Sequence, residues 1–515
     1  MPDKNSTFCR DDYLIGAAIF CAGLLIHLFR LRYWSPLPDE INYARCARFL
    51  IENRTLFSND IMFLPPLFVY LAAILQHAGI ELLLSVRLIS AVAGALILPL
   101  LFLSARTYLP NAAALRATLI ILPLFSFHLY SRLGQVEMLM LFFIILTLFL
   151  LLLAFHQQNP FFALAAGWTL GLGVWTKETT IGAIFSIFIF LLFSSGKKIR
   201  FLSQFLLGLT PPFLLLLLFS HYCGQNLLLE IMSSRGYDIN MLQLDPLANL
   251  IALGTNLGYN LIPRLYYPWE LIIFLLLAPV LGIFLLGSVI IAALKKDIIS
   301  RFAFAYLTIH LPFFFLFSRK FDYYLLPAGL FLAFAGSLFI FSPLAAPKLK
   351  RIGTILIISC AIFNIYADRF LFFNRGTHAT MAISVTALPP KTTLATSHPT
   401  LVEYLSARAG LNLKVLPLFQ NNSYQLNPVV WTDTITTILI KYYYYERLKK
   451  RFPADWAKLA TTFPTKKEII DPDWSVFWTY RTGQISFPLF KKIADFARPT
   501  GIVILQKNAR LTPTD

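Results

Sequence analysis

Charge is scarce in this chain. Only 14% of its 515 residues are Asp, Glu, Lys or Arg, 57% are hydrophobic, and the mean hydropathy is +0.67. A soluble globular domain carries about 25% charged residues, so that class is excluded. Cysteine is scarce too. The five present (Cys9, Cys21, Cys46, Cys223 and Cys360) show no C-x-x-C spacing, which excludes a zinc ribbon and gives no disulfide framework. His128 and His221 lack the H-x-x-x-H or H-x-x-E spacing of a metal site, so no metal is predicted. Internal repeats and the matched halves of many transporters are missing as well. Acids are the rarer charge, 26 against 44 Lys and Arg, for a net charge of +18. The basic residues fall in short links between apolar runs, not on one soluble face. That pattern fits lipid headgroups and membrane orientation and predicts no nucleic-acid partner.

What is abundant is long apolar sequence. Runs such as MLMLFFIILTLFLLLLAF approach the roughly 20 residues that cross a hydrocarbon core as helix, the form in which every backbone group bonds internally. The chain therefore reads as a polytopic α-helical membrane protein with about eleven transmembrane helices. They are placed near 14–31, 82–104, 112–130, 137–155, 161–175, 178–194, 201–220, 270–293, 301–317, 323–342 and 352–367. The acids in MPDKNSTFCRDDY and the lack of a small-residue cleavage site predict that the first helix is retained as an anchor. An odd count puts the termini on opposite sides. Lys4, Arg10, Arg106, Arg116, Lys197, Lys198, Arg200, Lys295, Lys296, Arg301, Lys348, Lys350 and Arg351 then lie near one face, which makes it cytoplasmic. LFVYLAAIL (67–75) is too short to span comfortably and follows Pro65-Pro66, so it is expected to be interfacial or re-entrant.

This orientation collects the unusual polar features on the far side: loops 32–81 and 221–268, Glu137, Lys177, residues 318–322 and the stretch after 368. Composition changes there, giving a division into a membrane domain (1–368) and a soluble extracytoplasmic α/β domain (369–515). KTTLATS, PTLVEYLSARAG and LNLKVLPLF read as strand, helix and strand, and GIVILQK reads as a closing strand. KYYYYERLKKRF (441–452) reads as an amphipathic element of that domain.

The adjacent acids Asp39 and Glu40 follow Pro36 and Pro38 at the exit of the first span. INYARCARFLIEN then repeats apolar residues at helical spacing, so both acids fall in the first turn of an amphipathic helix. Acids there complement the helix dipole, which alone accounts for an isolated pair. A carboxylate starting a helix at the membrane surface can also meet a lipid-borne group and a water-side acceptor.

PDEINYARCARFLIENRTLF, with Tyr43 after the acids, resembles the first-loop signature of the GT-C integral-membrane glycosyltransferases. Within them it is similar to bacterial relatives of protein O-mannosyltransferases and of lipid A aminoarabinose transferases. FLPPLFVYL resembles the family's Pro-Pro-Leu element, with Leu64 where a Lys or His usually stands. SRLGQVEMLMLFF resembles its Arg segment, with Glu137 in the acidic position commonly held by Asp. GLGVWTKETT resembles its Leu-Thr-Lys turn through Lys177, and SRKFDYYLLPAGLFLAF its late loop.

The resemblance implies inverting transfer of a sugar from a polyprenyl phosphate carrier to an extracytoplasmic acceptor, without a nucleotide donor or a Gly-rich phosphate loop. A hydroxyl acceptor must lose a proton as it attacks, and Asp39 is the expected base. Cations stabilise the departing lipid phosphate. Arg319 and Lys320, flanked by Tyr323 and Tyr324, are the candidates, with Lys177 and Arg264 behind them and Glu40 and Tyr43 on the substrate side. Arg264 lies in PRLYYPWE, an aromatic belt where snorkelling to headgroups accounts for it. Glu137 has three open readings: sharing acceptor activation, pairing with Arg132, or holding a divalent ion with Asp39, the last unsupported by spacing. A transporter or flippase of lipid-linked intermediates and a non-catalytic family member are the alternatives. The cell envelope of a bacterium, with the enzyme in the inner membrane and its N-terminus cytoplasmic, is the expected setting.

Overall fold

A computed structural model describes residues 8–32, 38–53, 66–122, 124–193, 198–222, 279–294, 298–315, 326–343, 345–373, 379–420, 426–441, 445, 448–449, 452–470 and 501–507. The loop 221–268, apart from its first two residues, and the site candidates Arg264, Arg319, Lys320 and Tyr324 lie outside them. The chain divides into two compact units, Met1–Leu31 with Tyr43–Arg369 and Arg32–Asn42 with Phe370–Asp515. A division by composition at 368 does not place residues 32–42 with the carboxyl-terminal unit, from which they are distant in sequence.

The first unit is helical: α1 (Arg10–Leu28), α3 (Leu67–His77), α4 (Leu82–Arg106), α5 (Asn111–Leu119), α6 (Phe125–Arg132), α7 (Val136–Gln157), α8 (Pro160–Thr176), α9 (Ile181–Phe193), α10 (Lys198–Tyr222), α11 (Pro279–Leu294), α12 (Ile298–Phe315), α13 (Leu326–Phe341) and α14 (Pro347–Phe373). The helix α2 (Pro38–Asn53) carries the boundary between the units, between Asn42 and Tyr43. Among the described residues, four helices have the length and composition to cross a membrane: Arg10–Leu28, Leu82–Arg106, Val136–Gln157 and Ile199–Tyr222. Several others are apolar but shorter. The span expected at 112–130 is two short helices, α5 and α6. The sequence reason is Pro123, which lacks an N–H and restricts the residue before it. The stretch expected to be too short to span is the 11-residue α3, about 16 Å long.

Close packing in this unit depends on small residues. A Cβ on Gly167 would run into the Phe205 carbonyl and one on Gly208 into the Leu164 carbonyl, so α8 and α10 touch backbone to backbone. Gly171, one turn on from Gly167, faces Pro212 in the same way. Small residues four apart permit such approach where lipid supplies no hydrophobic drive between helices. The Pro212 carbonyl accepts a hydrogen bond from Trp175 Nε1 at 2.7 Å, tying the same two helices.

The second unit holds a five-stranded sheet, β1 (Thr393–Thr396), β2 (Lys414–Pro417), β3 (Thr437–Lys441), β4 (Thr465–Ile470) and β5 (Gly501–Gln506), in the order β2-β1-β3-β5-β4. β1 runs parallel to β2 and β3, while β5 is antiparallel to β3 and β4. Helix α16 (Pro399–Arg408) joins β1 to β2, and α15 (Ala379–Thr386) and α17 (Pro453–Thr462) complete the unit. Side chains alternate across the sheet with the two-residue period of a strand. Leu394, Leu439, Ile502 and Ile504 join one apolar cluster with Met381, Val385, Leu401 and Leu405. Ala395, Ile438, Ile440, Val503 and Leu505 join the opposite one with Leu459 and Phe463. Tyr445 and Leu448, from the basic aromatic stretch, are buried in that second core.

Candidate functional site

Asp39 and Glu40 occupy the first turn of α2, as the sequence pattern places them. Successive helical residues point about 100° apart, and the two acids are treated differently: Asp39 is exposed, Glu40 fully buried. The next residue, Ile41, is fully buried in the cluster of Met381, Val385, Leu394 and Leu401. The acidic turn is thereby pinned to the carboxyl-terminal unit by an apolar anchor. Tyr43, on the other side of the unit boundary, is buried and meets Phe68 edge to face at 5.4 Å.

Glu137 stands in the first turn of α7. The turn before it is held against α4 by Ser90 Oγ, which donates to the Gln135 carbonyl at 2.9 Å and lies 3.2 Å from the Gln135 N–H. Gly134 is required there, since a Cβ would collide with Val86. Lys177 ends α8 in an extended conformation, its N–H bonded to the Gly173 carbonyl at 3.0 Å. The turn Glu178–Thr180 follows, and Thr180 Oγ1 donates to that same carbonyl at 3.0 Å. These two turns bring Lys177 Nζ onto Glu137 Oε1 as a hydrogen-bonded ion pair. Glu137 is 1% exposed and Lys177 7%.

A buried ion pair is costly to desolvate and persists when its partners compensate each other and their remaining polar atoms are met. Here one is not: Glu137 Oε2 is buried and has no hydrogen-bond partner among the described residues. An unmet carboxylate oxygen beside a lysine is a hydrogen-bond acceptor with its charge already balanced.

The expected alternative, a Glu137–Arg132 pair, is not what forms. Arg132 Nη1 donates to the carbonyls of Phe29 (2.5 Å), Ile26 (3.2 Å) and His27 (3.2 Å), and Nη2 to Arg30 at 3.3 Å. Arg87, fully buried in α4, donates to the Leu31 carbonyl at 2.8 Å. Helix α1 ends with carbonyls that have no intrahelical donor; Arg132 supplies one to Ile26 and His27, and Arg87 holds the turn that follows at Leu31. Arg30 adopts φ 52° there, a left-handed conformation the caps hold. The sequence signal for Arg87 was available: an arginine inside LLLSVRLIS is expensive in an apolar span unless it has a fixed task.

Lys177 already occupies the cation position at Glu137, and among the described residues no cluster of three or more His, Cys, Asp or Glu could hold a metal.

The sequence profile of the family described as dolichyl-phosphate-mannose-protein mannosyltransferase matches residues 64–222, which include Glu137 and Lys177. No curated protein sequence matches the chain. Among solved structures, ArnT from Cupriavidus metallidurans bound to undecaprenyl phosphate is similar over 99% of this chain and 100% of its own, at TM-score 0.51 and 13% identity. The Archaeoglobus fulgidus oligosaccharyltransferase in complex with Zn and sulfate is similar over 95% of this chain and 88% of its own, at TM-score 0.54 and 14% identity. AglB from the same organism, in complex with an inhibitory peptide and a dolichol-phosphate, is similar over 97% and 89%, at TM-score 0.51 and 13% identity. The likeness extends over nearly the whole chain, well beyond the profile match.

Proposed function

We propose that this chain, whose fold is that of the GT-C integral-membrane glycosyltransferases, moves a sugar from a polyprenyl phosphate carrier to an extracytoplasmic hydroxyl acceptor. The observation that carries the reading is the buried Glu137–Lys177 pair with its open carboxylate oxygen, inside the segment matched by the family profile. Carriers of this kind are bound in the structures of the similar proteins, undecaprenyl phosphate in one and dolichol-phosphate in another.

In this mechanism the acceptor oxygen attacks the anomeric carbon from the face opposite the phosphate. A C–O bond forms there, the bond to the phosphate oxygen breaks, and configuration inverts. The acceptor proton passes to Asp39, the exposed acid of the pair, whose position Ile41 fixes. Glu137 Oε2 accepts a hydrogen bond from a substrate hydroxyl, and Lys177 contributes positive potential. Arg319 and Lys320, with Tyr324, take the developing phosphate charge, with Arg264 in a supporting role. Glu40 and Tyr43, both buried, set the shape of the turn that presents Asp39. The setting is the bacterial inner membrane, with the N-terminus cytoplasmic and the α/β unit extracytoplasmic. Glycolipid, lipid A, polymer and protein hydroxyls are the acceptor classes.

Transfer from a polyprenyl-phosphate sugar by the purified chain in detergent tests the reading. Asp39→Asn is expected to abolish transfer while leaving expression and unfolding temperature at the parent level. Transfer at the parent rate by that variant would overturn the assignment. A flippase is the second reading, since a charge pair buried in a helical bundle also suits transport. Detergent separates the two, because it removes the sides between which a flippase works and leaves group transfer intact.

A further inference from the structure

At one end of the membrane unit, α9 closes on Phe193, α11 closes on Leu294, and α12 begins at Ile298. Helix α12 packs against both α9 and α11. Between the three lies a cavity of about 490 Å³. Its walls are apolar, formed by Ile189, Phe190, Ile290, Ala293, Phe304 and Ala305 among others. Ile290, Leu294 and Phe304 also show apolar surface outward, so the slot opens onto a greasy flank, not into the bundle core. One charged residue lines it, Arg301.

Arg301 Nε donates to the Ala293 carbonyl at 3.2 Å, which fixes the guanidinium over the end of α11. Among the described residues no carboxylate pairs with it. Its surroundings in sequence add positive charge: Lys295 and Lys296 stand in the link before α12, with Asp297, Lys197 in the link after α9, and Lys198 and Arg200 in the first turn of α10. An apolar slot next to a fixed, half-buried guanidinium is complementary to a molecule with an acyl chain and an anionic head. A zwitterionic lipid would bring its own cation toward this basic end.

We propose that this slot is a binding site for an anionic phospholipid, with one acyl chain between α9, α11 and α12 and the phosphate on Arg301. The slot shares no residue with those assigned to sugar transfer and does not depend on their roles. The Nη groups of Arg301 are the headgroup donors, and planar two-point bonding of a phosphate by Arg is stronger than a point charge supplies.

Native mass spectrometry of the full-length protein, with phosphatidylglycerol or phosphatidylcholine of matched acyl chains titrated in, tests this. The parent chain is expected to retain phosphatidylglycerol preferentially. Arg301→Gln should lower that retention about fivefold and leave phosphatidylcholine unchanged, the loss expected for one cation at an anionic lipid. Arg301→Lys should keep part of the preference, between the parent and Arg301→Gln, and Ala305→Trp, which fills the slot, should lower retention of both lipids. Parent-level retention of phosphatidylglycerol by Arg301→Gln overturns the proposal. So does its displacement by equimolar undecaprenyl phosphate in an Arg301-dependent manner, which would make the polyprenyl carrier the occupant.

Discussion

At the scale of single residues, Glu137–Lys177 is the most deeply buried ion pair among the described residues. Removing one partner of a buried ion pair leaves the other charge uncompensated, at a cost of about 3–5 kcal/mol. Lys177→Met is therefore expected to lower the unfolding temperature in detergent strongly, and Lys177→Met with Glu137→Leu to recover much of the loss. Activity should not recover in the double variant, because the open acceptor oxygen is gone. Equal destabilisation in single and double variants would show that the two charges do not compensate each other. Cys46 offers a gentler probe, since burial pushes its thiol up to about 11. The fold disfavours the thiolate, so this residue's contribution to stability is full below the ordinary thiol value of about 8.5 and is lost as pH rises toward the folded value. In a variant retaining Cys46 as its only cysteine, maleimide labelling at pH 8 should be slow in mild detergent and fast after denaturation. Fast labelling of the folded protein would contradict the burial.

At the scale of elements, the contacts that matter are between backbones and between a helix end and its caps. Gly167→Val or Gly208→Val must push α8 from α10, because the atoms in the way are carbonyls and not movable side-chain tips. Both variants are expected to yield poorly folded protein, with Gly287→Ala as a control, since a Cβ there meets nothing within 4 Å. The acidic turn of α2 depends on Ile41. Ile41→Ala should cost about 2–5 kcal/mol in the carboxyl-terminal unit, the range for truncating a buried Ile. If the turn presents a catalytic acid, the same change should lower kcat more than it raises KM for the acceptor. A parent-level kcat in a measurably destabilised Ile41→Ala would separate the anchor from catalysis. Periodicity made α2 legible, since Pro38, the acids and the apolar spacing all mark its start. The break between α5 and α6 was also written in the sequence, as Pro123, but a run of apolar residues masks a helix break when hydropathy is averaged over a window.

For the whole molecule, KTTLATS, LNLKVLPLF and GIVILQK read as strands, and the helical signal between the first two pointed to a crossover, while TILIK, the central strand β3, was not singled out. Their order in the sheet, with β5 inserted between β3 and β4, had no local signature. Such pairing is decided by which faces can be buried together, a property of distant residues. The same holds for the site. Glu137 and Lys177 were each visible as charges at the ends of apolar runs, yet nothing in their 40-residue separation joins them.

The sequence alone determined that this is a helical membrane chain with a strand-bearing carboxyl-terminal region, because hydropathy, strand alternation and proline act over a few residues at a time. It also placed Asp39 and Glu40 together at a helix start. Only the tertiary structure decided that Glu40 is buried while Asp39 is exposed, that Ile41 ties their turn to the carboxyl-terminal unit, that Lys177 and not Arg132 neutralises Glu137, and that Arg132 caps α1 while Arg87 holds the turn that follows. Those outcomes depend on which buried polar groups find partners across the packed helices, and that competition is settled only when remote segments meet.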